Sequence, residues 1–539
     1  QFRLLIKDGS GGHNHAVLRS NSTIPLDEWS HVMAVYDGSR QYIYIDGVMD
    51  ANRPCTGEIY PQPNPRPLTI GNGRLALDRG FDGLIDRVRI GNAALYGPSG
   101  CIEKVPAYLN GDCYVDSHDF AEFAGQWLAG YDNGVSTTYS ETGRGFIDKT
   151  ADLGLENLGG SPSAWIDYNN DGWVDLYDGS RLFINERGRG FVEKGCNHGV
   201  SVCGDYDNDG YVDKFSLARL KLWHNNESIR FEEAAFPELP GLTRSVGGCW
   251  GDWDGDGYID LYVCGYENAN HGYLPDSIVQ NTQGSRFDVI WTQSGDVDPA
   301  RCATACDFDE DGDMDIYVSN YRLEGNLLWL NDGNGDFSNV AEQYGVIGDY
   351  NGWSYSYGHT IGSQWADMDN DGHFDLFVGN FSHPQNWQDR PKFYRNLGPA
   401  GRYRFEDKSD TAGLEWQESY AIPALADYDN DGDMDLYFTT VYGGDNPVLY
   451  RNEGNWQFVD VTREEGLSGL GPTYQATWAD FDNDGDLDLV TDGKLFVNQG
   501  NDNHWLKLRL KSNDPAVNRF ALGTQARIVL DNGKTVSRQ

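Results

Sequence analysis

Short apolar segments recur along the central part of the chain, and each one adjoins a turn rich in aspartate and glycine. Four of them begin with aspartate and continue with aliphatic and aromatic residues: Asp260–Val263, Asp315–Val318, Asp375–Val378 and Asp435–Phe438. Another short apolar segment precedes each acidic turn, as in the sequence YAIPALADYD, which begins at Tyr420. Apolar segments of this length, joined by such turns, predict β-hairpins.

The acidic turn has the form Asp-x-[Asp/Asn]-x-Asp-Gly-x-x-Asp and occurs seven times. In six copies, an aliphatic residue follows the last aspartate. We number the copies turn 1 to turn 7: Asp167–Asp175, Asp205–Asp213, Asp252–Asp260, Asp307–Asp315, Asp367–Asp375, Asp427–Asp435 and Asp480–Asp488. Successive first aspartates are 38, 47, 55, 60, 60 and 53 residues apart, and repeats of this length are typical of propellers, solenoids or arrays.

Each repeat contains four short predicted strands, which favours an all-β fold in which the repeats are the blades of a seven-bladed β-propeller. The segment Gly145–Leu155 is similar to Phe405–Leu414, the fourth strand of a blade, but it precedes turn 1. We therefore expect it to complete blade seven, so that both ends of the repeat region close the ring. Closure also removes free sheet edges.

The turns predict calcium sites, because alternating side chains of an acidic turn surround one hard cation with oxygen ligands. The glycine at position six permits the sharp reversal of the chain. Carboxylate or amide ligands are expected at positions one, three, five and nine, and a backbone carbonyl at position seven. Position one is Asp167, Asp205, Asp252, Asp307, Asp367, Asp427 and Asp480; position three is Asn169, Asp207, Asp254, Asp309, Asp369, Asp429 and Asp482. Position five is Asp171, Asp209, Asp256, Asp311, Asp371, Asp431 and Asp484; position seven is Trp173, Tyr211, Tyr258, Asp313, His373, Asp433 and Asp486; position nine is Asp175, Asp213, Asp260, Asp315, Asp375, Asp435 and Asp488.

The alternative for any single copy is a solvated hairpin turn without metal. Seven copies with acids at four defined positions favour the metal site, and about seven calcium ions are expected. The turns are not EF-hands, because an EF-hand has a bidentate glutamate at position twelve and a helix on each side. Here, short apolar strands flank the turn instead.

These repeats resemble the FG-GAP/VCBS repeats of integrin α-subunit propellers and of many secreted bacterial proteins. The resemblance covers residues 135–500. It implies that each metal turn joins the two inner strands of a blade, that all turns lie on one face, and that ligands bind the opposite face. Calcium would then be structural.

The flanking segments resemble other modules. Residues 1–97 are similar to the C-terminal part of a laminin-G-like (concanavalin-like) jelly roll, through the hairpin that contains Trp29 to Asp50. Residues 98–134 resemble half of a dockerin repeat followed by a short helix, which predicts either a connector helix or a weak calcium site. The candidate ligands of that weak site are Asn110, Asp112, Asp116 and Asp119. Tyr108 and Cys113 depart from the dockerin pattern.

Residues 501–539 resemble the start of an ASPIC/UnbV domain, through the sequence from Asn503 to Lys534. Together with the FG-GAP/VCBS repeats, this segment gives an arrangement similar to that of the cartilage acidic protein family and its bacterial relatives. The resemblance supports the predicted architecture and implies no particular activity.

The chain of 539 residues contains 41 Lys and Arg against 83 Asp and Glu, a formal charge of −42, to which the metal turns contribute much. This charge argues against nucleic acid and anionic membranes as partners. No apolar run is long enough to span a bilayer. Nine cysteines and many calcium sites indicate an extracellular, secreted or cell-surface protein, with candidate disulfides Cys249–Cys264 and Cys101–Cys113. The chain begins with Gln1 and has no signal peptide, which we interpret as a processed or partial segment.

No catalytic motif is evident, and nearly all paired carboxylates are assigned to metal. Long loops on the face opposite the turns carry Trp353, Tyr355, Tyr357 and Trp387, which either bind a sugar or protein ligand or fill gaps between blades. We therefore predict a non-catalytic, calcium-stabilised extracellular module for adhesion, or for matrix or surface assembly, with a protein, a glycan or another copy as partner. The alternative is an accessory binding region of a secreted polysaccharide-degrading enzyme. A lyase or hydrolase activity of the propeller itself is a third interpretation.

Overall fold

The computed structural model describes residues 3–7, 15–19, 32–36, 40–45, 48–54 and 145–539, apart from 296, 350–356, 383–388, 502, 504, 511, 513–516 and 530–533. The chain divides into two compact units, Gln1–Gln126 and Trp127–Gln539. The predicted connector, with Asn110, Asp112, Asp116 and Asp119, lies outside the described residues, as do Cys101 and Cys113.

The first unit contains β-strands throughout its described part. Arg3–Lys7 pairs with His15–Arg19 as an antiparallel hairpin. A three-stranded antiparallel sheet follows, formed by Val32–Tyr36, Arg40–Ile45 and Val48–Pro54. The first two of these strands, Val32–Tyr36 and Arg40–Ile45, form the hairpin predicted within Trp29 to Asp50.

The second unit is a seven-bladed β-propeller, as predicted, in which every blade is a four-stranded antiparallel sheet. Blade 1 consists of Ala164–Ile166, Asp175–Tyr177, Arg181–Asn185 and Phe191–Gly195; blade 2 of Ser201–Gly204, Asp213–Ser216, Lys221–Asn226 and Arg230–Ala234. Blade 3 consists of Gly248–Gly251, Asp260–Val263, Ser277–Thr282 and Arg286–Thr292; blade 4 of Ala300–Cys306, Asp315–Asn320, Leu327–Asn331 and Phe337–Asn339. Blade 5 consists of His359–Ala366, Asp375–Phe381, Lys392–Asn396 and Phe405–Asp407; blade 6 of Tyr420–Ala426, Asp435–Thr440, Val448–Asn452 and Phe458–Asp460.

Blade 7 consists of Ala476–Ala479, Asp488–Thr491, Lys494–Asn498 and Phe146–Asp148. Its fourth strand comes from before blade 1, which confirms the predicted closure of the ring by both ends of the repeat region. The first strands are innermost, and each contacts the first strand of the next blade, including those of blades 7 and 1. The ring is therefore closed without a free edge between its ends.

Two short helical turns and one further hairpin complete the described elements. An α-helix, Ala341–Tyr344, follows blade 4, and a 3₁₀ turn, Pro399–Gly401, lies within blade 5. The strands Ala526–Val529 and Thr535–Arg538 pair near the C-terminal end of the chain. The hydrophobic cores lie mainly between neighbouring blades, as where Phe377 and Phe438 pack edge to face.

Replacement of the closing strand's buried aromatic residue is expected to destabilise the ring. Phe146 is 5% exposed and its ring lies 5.8 Å from Tyr428 and 5.7 Å from Trp478. Phe146→Ala should lower the free energy of unfolding by about 3–5 kcal/mol, because it leaves a cavity in a packed core. Chemical denaturation measures the change, and Ile147→Ala, at a neighbouring residue that is 45% exposed, is the matched control. Equal effects of the two variants would contradict the inferred closure.

The structure does not support the predicted Cys249–Cys264 disulfide. Cys249 lies opposite Tyr262 in the strand register, whereas Cys264 follows the end of that strand and its backbone N–H donates to the carbonyl of Gly247. The two cysteines are thus diagonal neighbours rather than directly opposed residues, and both are free thiols. Cys196, Cys203, Cys302 and Cys306 are free as well.

Candidate metal centres in the blade turns

All seven acidic turns connect the first strand of a blade to the second, so the closed ring places them on one face, which we call the metal face. The predicted ligand residues of the seven motifs therefore lie together on this face. That they bind calcium stays a prediction. The carboxylate clusters include Asp205, Asp207 and Asp213 in turn 2 and Asp252, Asp254 and Asp260 in turn 3, with ligand oxygens within 4.8 Å of one another. Further clusters include the position-one, -three and -five aspartates of turns 4 and 5.

Backbone hydrogen bonds shape each turn, and turn 6 illustrates the pattern. The backbone N–H groups of Asp431 and Gly432 donate to the carboxylate of Asp427 at 2.9 and 3.1 Å. Asp433 then donates its N–H to the Asp431 carboxylate at 2.8 Å. Gly432 has a φ of 89°, a left-handed conformation that glycine adopts without strain. The first and fifth side chains are thus fixed towards the interior of the turn.

The position-nine aspartates are 0–1% exposed and anchor the turn to the rest of its blade. In every blade, one carboxylate oxygen accepts the backbone N–H of an asparagine at the end of the third strand, at 2.6 to 2.9 Å. In six turns, the other oxygen accepts the N–H of the residue at position two. These aspartates therefore shape the site in addition to any contact with an ion.

The third-strand asparagines form a ring of contacts between blades that sequence reasoning missed. Each side-chain amide donates to the carbonyl at position two of the preceding blade's turn, at 2.7 to 2.9 Å. The seven residues, which we call the asparagine ring, are Asn185, Asn225, Asn281, Asn331, Asn396, Asn452 and Asn498. The signal was present in the sequence as an asparagine that recurs after the third apolar segment of every repeat.

Several carboxylate oxygens are buried without any hydrogen-bond partner. They belong to Asp309, Asp369 and Asp429 at position three, to Asp480 at position one and to Asp315 at position nine. A buried carboxylate oxygen without a partner is costly, and a bound cation satisfies it. Oxygen-only ligand sets of this kind fit a hard divalent ion, so the residues present are suited to calcium.

Burial strongly raises the pKa values of the position-nine carboxylates. It raises the pKa of Asp213, Asp315 and Asp488 to about 9, and neighbouring aspartates add to the shift. Burial also raises the pKa of Asp375 and Asp435 well above the usual range. Without a cation, the folded protein therefore holds protons at position nine that the unfolded chain releases near pH 4.

The calcium-free protein should consequently lose stability as the pH rises. Between the unfolded pKa of about 4 and the raised folded values, the native state binds more protons than the unfolded state, so the free energy of unfolding decreases with increasing pH. We expect a higher melting temperature at pH 5 than at pH 8 in metal-free buffer, measured by calorimetry. Calcium should weaken or reverse this trend, because the ion binds the deprotonated carboxylates. A metal-free protein that is more stable at pH 8 would contradict the burial of these acids.

The surroundings of the turns differ from blade to blade, which the repeat pattern alone did not indicate. His224 places its Nδ1 atom 3.3 Å from carboxylate oxygens of Asp207 and Asp213 in turn 2. Arg395 pairs with Asp369 and Asp371 in turn 5, at 2.6 and 2.9 Å. Both side chains come from the third strand, one residue before a member of the asparagine ring. The affinities of the seven turns for an ion should therefore be unequal.

Basic residues of the C-terminal segment 505–539 contact the metal face. Lys507 pairs with Asp480 at 3.1 Å and Arg509 with Asp167 at 3.0 Å, in turns 7 and 1. Lys534 and Arg538 pair with Asp433 and Asp427 of turn 6, at 3.3 and 2.9 Å. Further contacts are made by Arg519 to backbone carbonyls of turn 2, by Gln525 to turn 4 and by Arg527 to turn 5. The chain itself thus covers much of this face.

Of the four aromatic residues predicted on the opposite face, only Tyr357 belongs to the described residues. It is half-buried, and its backbone N–H donates to the carbonyl of Leu323 at 3.1 Å. Trp353, Tyr355 and Trp387 lie outside the described residues. Their role in ligand binding stays a prediction.

Comparison with known families agrees with the class of protein that the fold and turns define. Residues 205–263, 307–378, 367–438 and 427–491 match the FG-GAP-like repeat, and residues 1–98 match the laminin-G model described as the concanavalin A-like lectin/glucanases superfamily. The chain is therefore a propeller of FG-GAP repeats that follows a laminin-G-like domain.

Among individual proteins, the chain is similar to cartilage acidic protein 1. It is 27% identical to the Mus musculus protein over 209 residues, and 26% identical to the Homo sapiens protein over the same length. The match covers 36% of this chain and 30% or 29% of those relatives, so it spans less than a third of their length.

The solved structures that the chain matches are remote in sequence. A lectin of Agrocybe aegerita that recognises terminal N-acetylglucosamine is 17% identical, with a TM-score of 0.37, over 58% of this chain and 83% of that one. The N-terminal part of BBS1 in complex with ARL6 is 11% identical, with a TM-score of 0.40, over 63% of this chain and 93% of that one. In the part of the chain that is described, no helix is long and apolar enough to cross a membrane.

Proposed function

We propose that this chain is a non-catalytic extracellular binding module whose propeller is stabilised by calcium. The observation that carries the proposal is the set of buried carboxylate oxygens without partners in turns 4 to 7, within ligand sets that contain only oxygen. The ligands of each ion would be positions one, three, five and nine and the position-seven carbonyl. About seven ions would bind in all.

Calcium would convert binding energy into folding energy. The carboxylates of each turn are brought together only in the folded chain, so an ion that binds them stabilises the native state selectively. Such sites suit an extracellular location, where calcium is abundant. The similarity to cartilage acidic protein 1 supports the same location and an adhesion or matrix-assembly role.

The face opposite the metal turns is the proposed binding face. The C-terminal segment pairs with turns 1, 6 and 7 on the metal face, which reduces the area there that a partner can reach. On the opposite face, Trp416, Tyr442 and Tyr474 are 50, 39 and 37% exposed. Exposed aromatic side chains are frequent anchors of protein and glycan ligands. The partner would be an extracellular protein, a glycan or a second copy of the chain.

Two measurements test this proposal. Atomic spectroscopy after dialysis against calcium-containing buffer should find several calcium ions per chain, and fewer than one would overturn the metal assignment. A solid-phase assay with purified matrix proteins and defined glycans should find a ligand whose binding is lost in EDTA. Binding of no ligand in either panel would contradict the binding role.

An accessory role in polysaccharide degradation is the second candidate. It is favoured by the match of residues 1–98 to the concanavalin A-like lectin/glucanases superfamily. A glycan array separates the two candidates, because specific carbohydrate binding supports the accessory role, whereas self-association without affinity for glycans supports an assembly role. Screening the chain for release of reducing ends or unsaturated products from acidic and neutral polysaccharides tests the third interpretation, catalysis by the propeller itself. Product release by this chain would show that it is itself catalytic and would overturn the non-catalytic assignment.

A further inference from the structure

Arg301 lies at the centre of the proposed binding face. It is the second residue of Ala300–Cys306, the innermost strand of blade 4, which leads into turn 4 at Asp307. Arg301 is therefore at the end of the strand remote from the metal face, about 20 Å from the turn at the usual rise per residue. Because the innermost strands surround the propeller axis, this position is next to the axis.

Tyrosines from several blades surround the guanidinium of Arg301. Its Cζ atom lies 4.7 Å from the ring centroid of Tyr266, 5.3 Å from that of Tyr321 and 5.7 Å from that of Tyr474. These residues come from blades 3 and 4 and from the segment that enters blade 7, on the other side of the axis. Tyr442, which follows the second strand of blade 6, lies close enough to Tyr321 to influence its pKa. We call Arg301 and these four tyrosines the axial cluster.

Aromatic rings, and no carboxylate of the described residues, hold the guanidinium in this cluster in place. Among the described residues, no acid forms an ion pair with Arg301, whereas the next arginine, Arg322, is paired with Glu267 at 2.5 Å. Stacking on aromatic rings restrains an arginine while its N–H donors stay available for an anion. The cluster is thus a preorganised cation in a chain with a formal charge of −42.

The hydroxyl groups add neutral hydrogen-bonding capacity. Burial raises the pKa of Tyr321 to about 12, and it also raises that of Tyr442, so both groups stay protonated at neutral pH. Tyr442 and Tyr474 are 39 and 37% exposed and are therefore accessible to a ligand. Aromatic faces with nearby hydroxyls suit a ring that has both apolar faces and polar substituents.

We propose that the axial cluster binds a carboxylated sugar residue, with the sugar carboxylate on Arg301 and its ring and hydroxyls against the tyrosines. This inference rests on the proposed function, since it takes the face opposite the turns as the binding face. A fork of N–H donors matches the geometry of a carboxylate, and the tyrosines match a pyranose ring better than an acidic peptide side chain. The strongly acidic surface disfavours densely charged polymers, so the ligand should carry isolated carboxylates.

Calorimetry on the full chain in calcium buffer tests the inference. The test ligand is an oligosaccharide that ends in glucuronate, and the control ligand is the same oligosaccharide ending in glucose. We expect binding of the first and at least tenfold weaker binding of the second, because a charge-assisted hydrogen bond contributes about this factor. Arg301→Gln should weaken glucuronate binding by tenfold or more, and Tyr474→Ala should also weaken it. Arg286→Gln removes an exposed arginine on the outer strand of blade 3 and should leave binding unchanged.

The outcomes separate this inference from the proposed function. Equal binding of the two oligosaccharides, or an Arg301→Gln variant with wild-type affinity and melting temperature, would overturn the sugar-carboxylate site. Tighter binding of an aspartate-containing peptide or of heparin than of the glucuronate ligand would also overturn it. In each of these cases, a normal calcium content and calcium-dependent binding to another ligand would leave the proposed function in place. Loss of calcium binding itself would contradict the proposed function instead.

Discussion

Removal of calcium with EDTA is expected to lower the melting temperature of the propeller by about 10 °C or more. A ligand that binds only the native state stabilises it by about 2.7 kcal/mol at a concentration one hundred times its dissociation constant, and seven candidate turns contribute in this way. In the absence of the ion, the clustered carboxylates repel one another or take up protons, and the buried oxygens of Asp309, Asp369 and Asp429 lose their partner. Differential scanning calorimetry at neutral pH measures the shift.

The control for this experiment is to add calcium back to the EDTA-treated protein. Calcium in excess over EDTA should restore the original melting temperature, whereas magnesium should restore less, because it prefers a smaller octahedral shell and retains its water ligands. A single-turn variant, Asp254→Ala, which removes the ligand oxygens of that side chain, should lower the calcium content by about one ion and shift the melt by a fraction of the EDTA effect. An EDTA-treated protein that melts at the same temperature as the calcium-loaded protein would show that the turns are not metal sites.

Much of the fold follows from local sequence patterns. The turn motif marks the junction of the first and second strands in every blade, because its position-nine aspartate leads directly into a buried strand such as Asp435–Thr440. The displaced fourth strand, Phe146–Asp148, was predictable because its sequence repeats that of other fourth strands. Both predictions use features that each repeat carries within itself.

The contacts of the C-terminal segment with the metal face could not be predicted, because they join segments that are distant in sequence. Arg509 contacts Asp167, and Arg519 contacts the carbonyl of Asp209, although more than 300 residues separate the members of each pair. Nothing in the local pattern of residues 505–539 indicates which surface they cover. The Cys249–Cys264 pairing was wrong for a different reason, because the sequence alone does not give the strand register that places Cys249 opposite Tyr262.

The structural role of the recurring asparagines is apparent only in the folded chain, as Asn452 illustrates. Asn452 is 1% exposed, and its side-chain amide donates to the carbonyls of Met434 in its own blade and Met368 in turn 5, at 3.1 and 2.9 Å. Its side-chain oxygen accepts the N–H of Gly454 at 3.0 Å. One side chain therefore satisfies three backbone groups and joins two blades at the metal face.

Replacement of Asn452 by alanine is expected to lower the free energy of unfolding by about 3 kcal/mol or more. The backbone bond to Asp435 remains, but two carbonyls and one N–H lose their partner in a buried region, and each such loss costs about 1–3 kcal/mol. Denaturant unfolding measures the total change. Hydrogen exchange at the interface of blades 5 and 6 should increase more than in blades 1 and 2, because the lost bond to Met368 crosses that interface.

Asn197→Ala is the matched control, since Asn197 is exposed on a loop between blades 1 and 2 and its replacement should change stability by no more than about 0.5 kcal/mol. Asn452→Asp tests the direction of the hydrogen bonds. It preserves the shape but removes both amide donors and adds a carboxylate beside two carbonyl oxygens, so its destabilisation should equal or exceed that of the alanine variant. If the aspartate variant were as stable as the wild type, the amide donors would not hold the blades together, and the inter-blade role of the asparagine ring would be wrong.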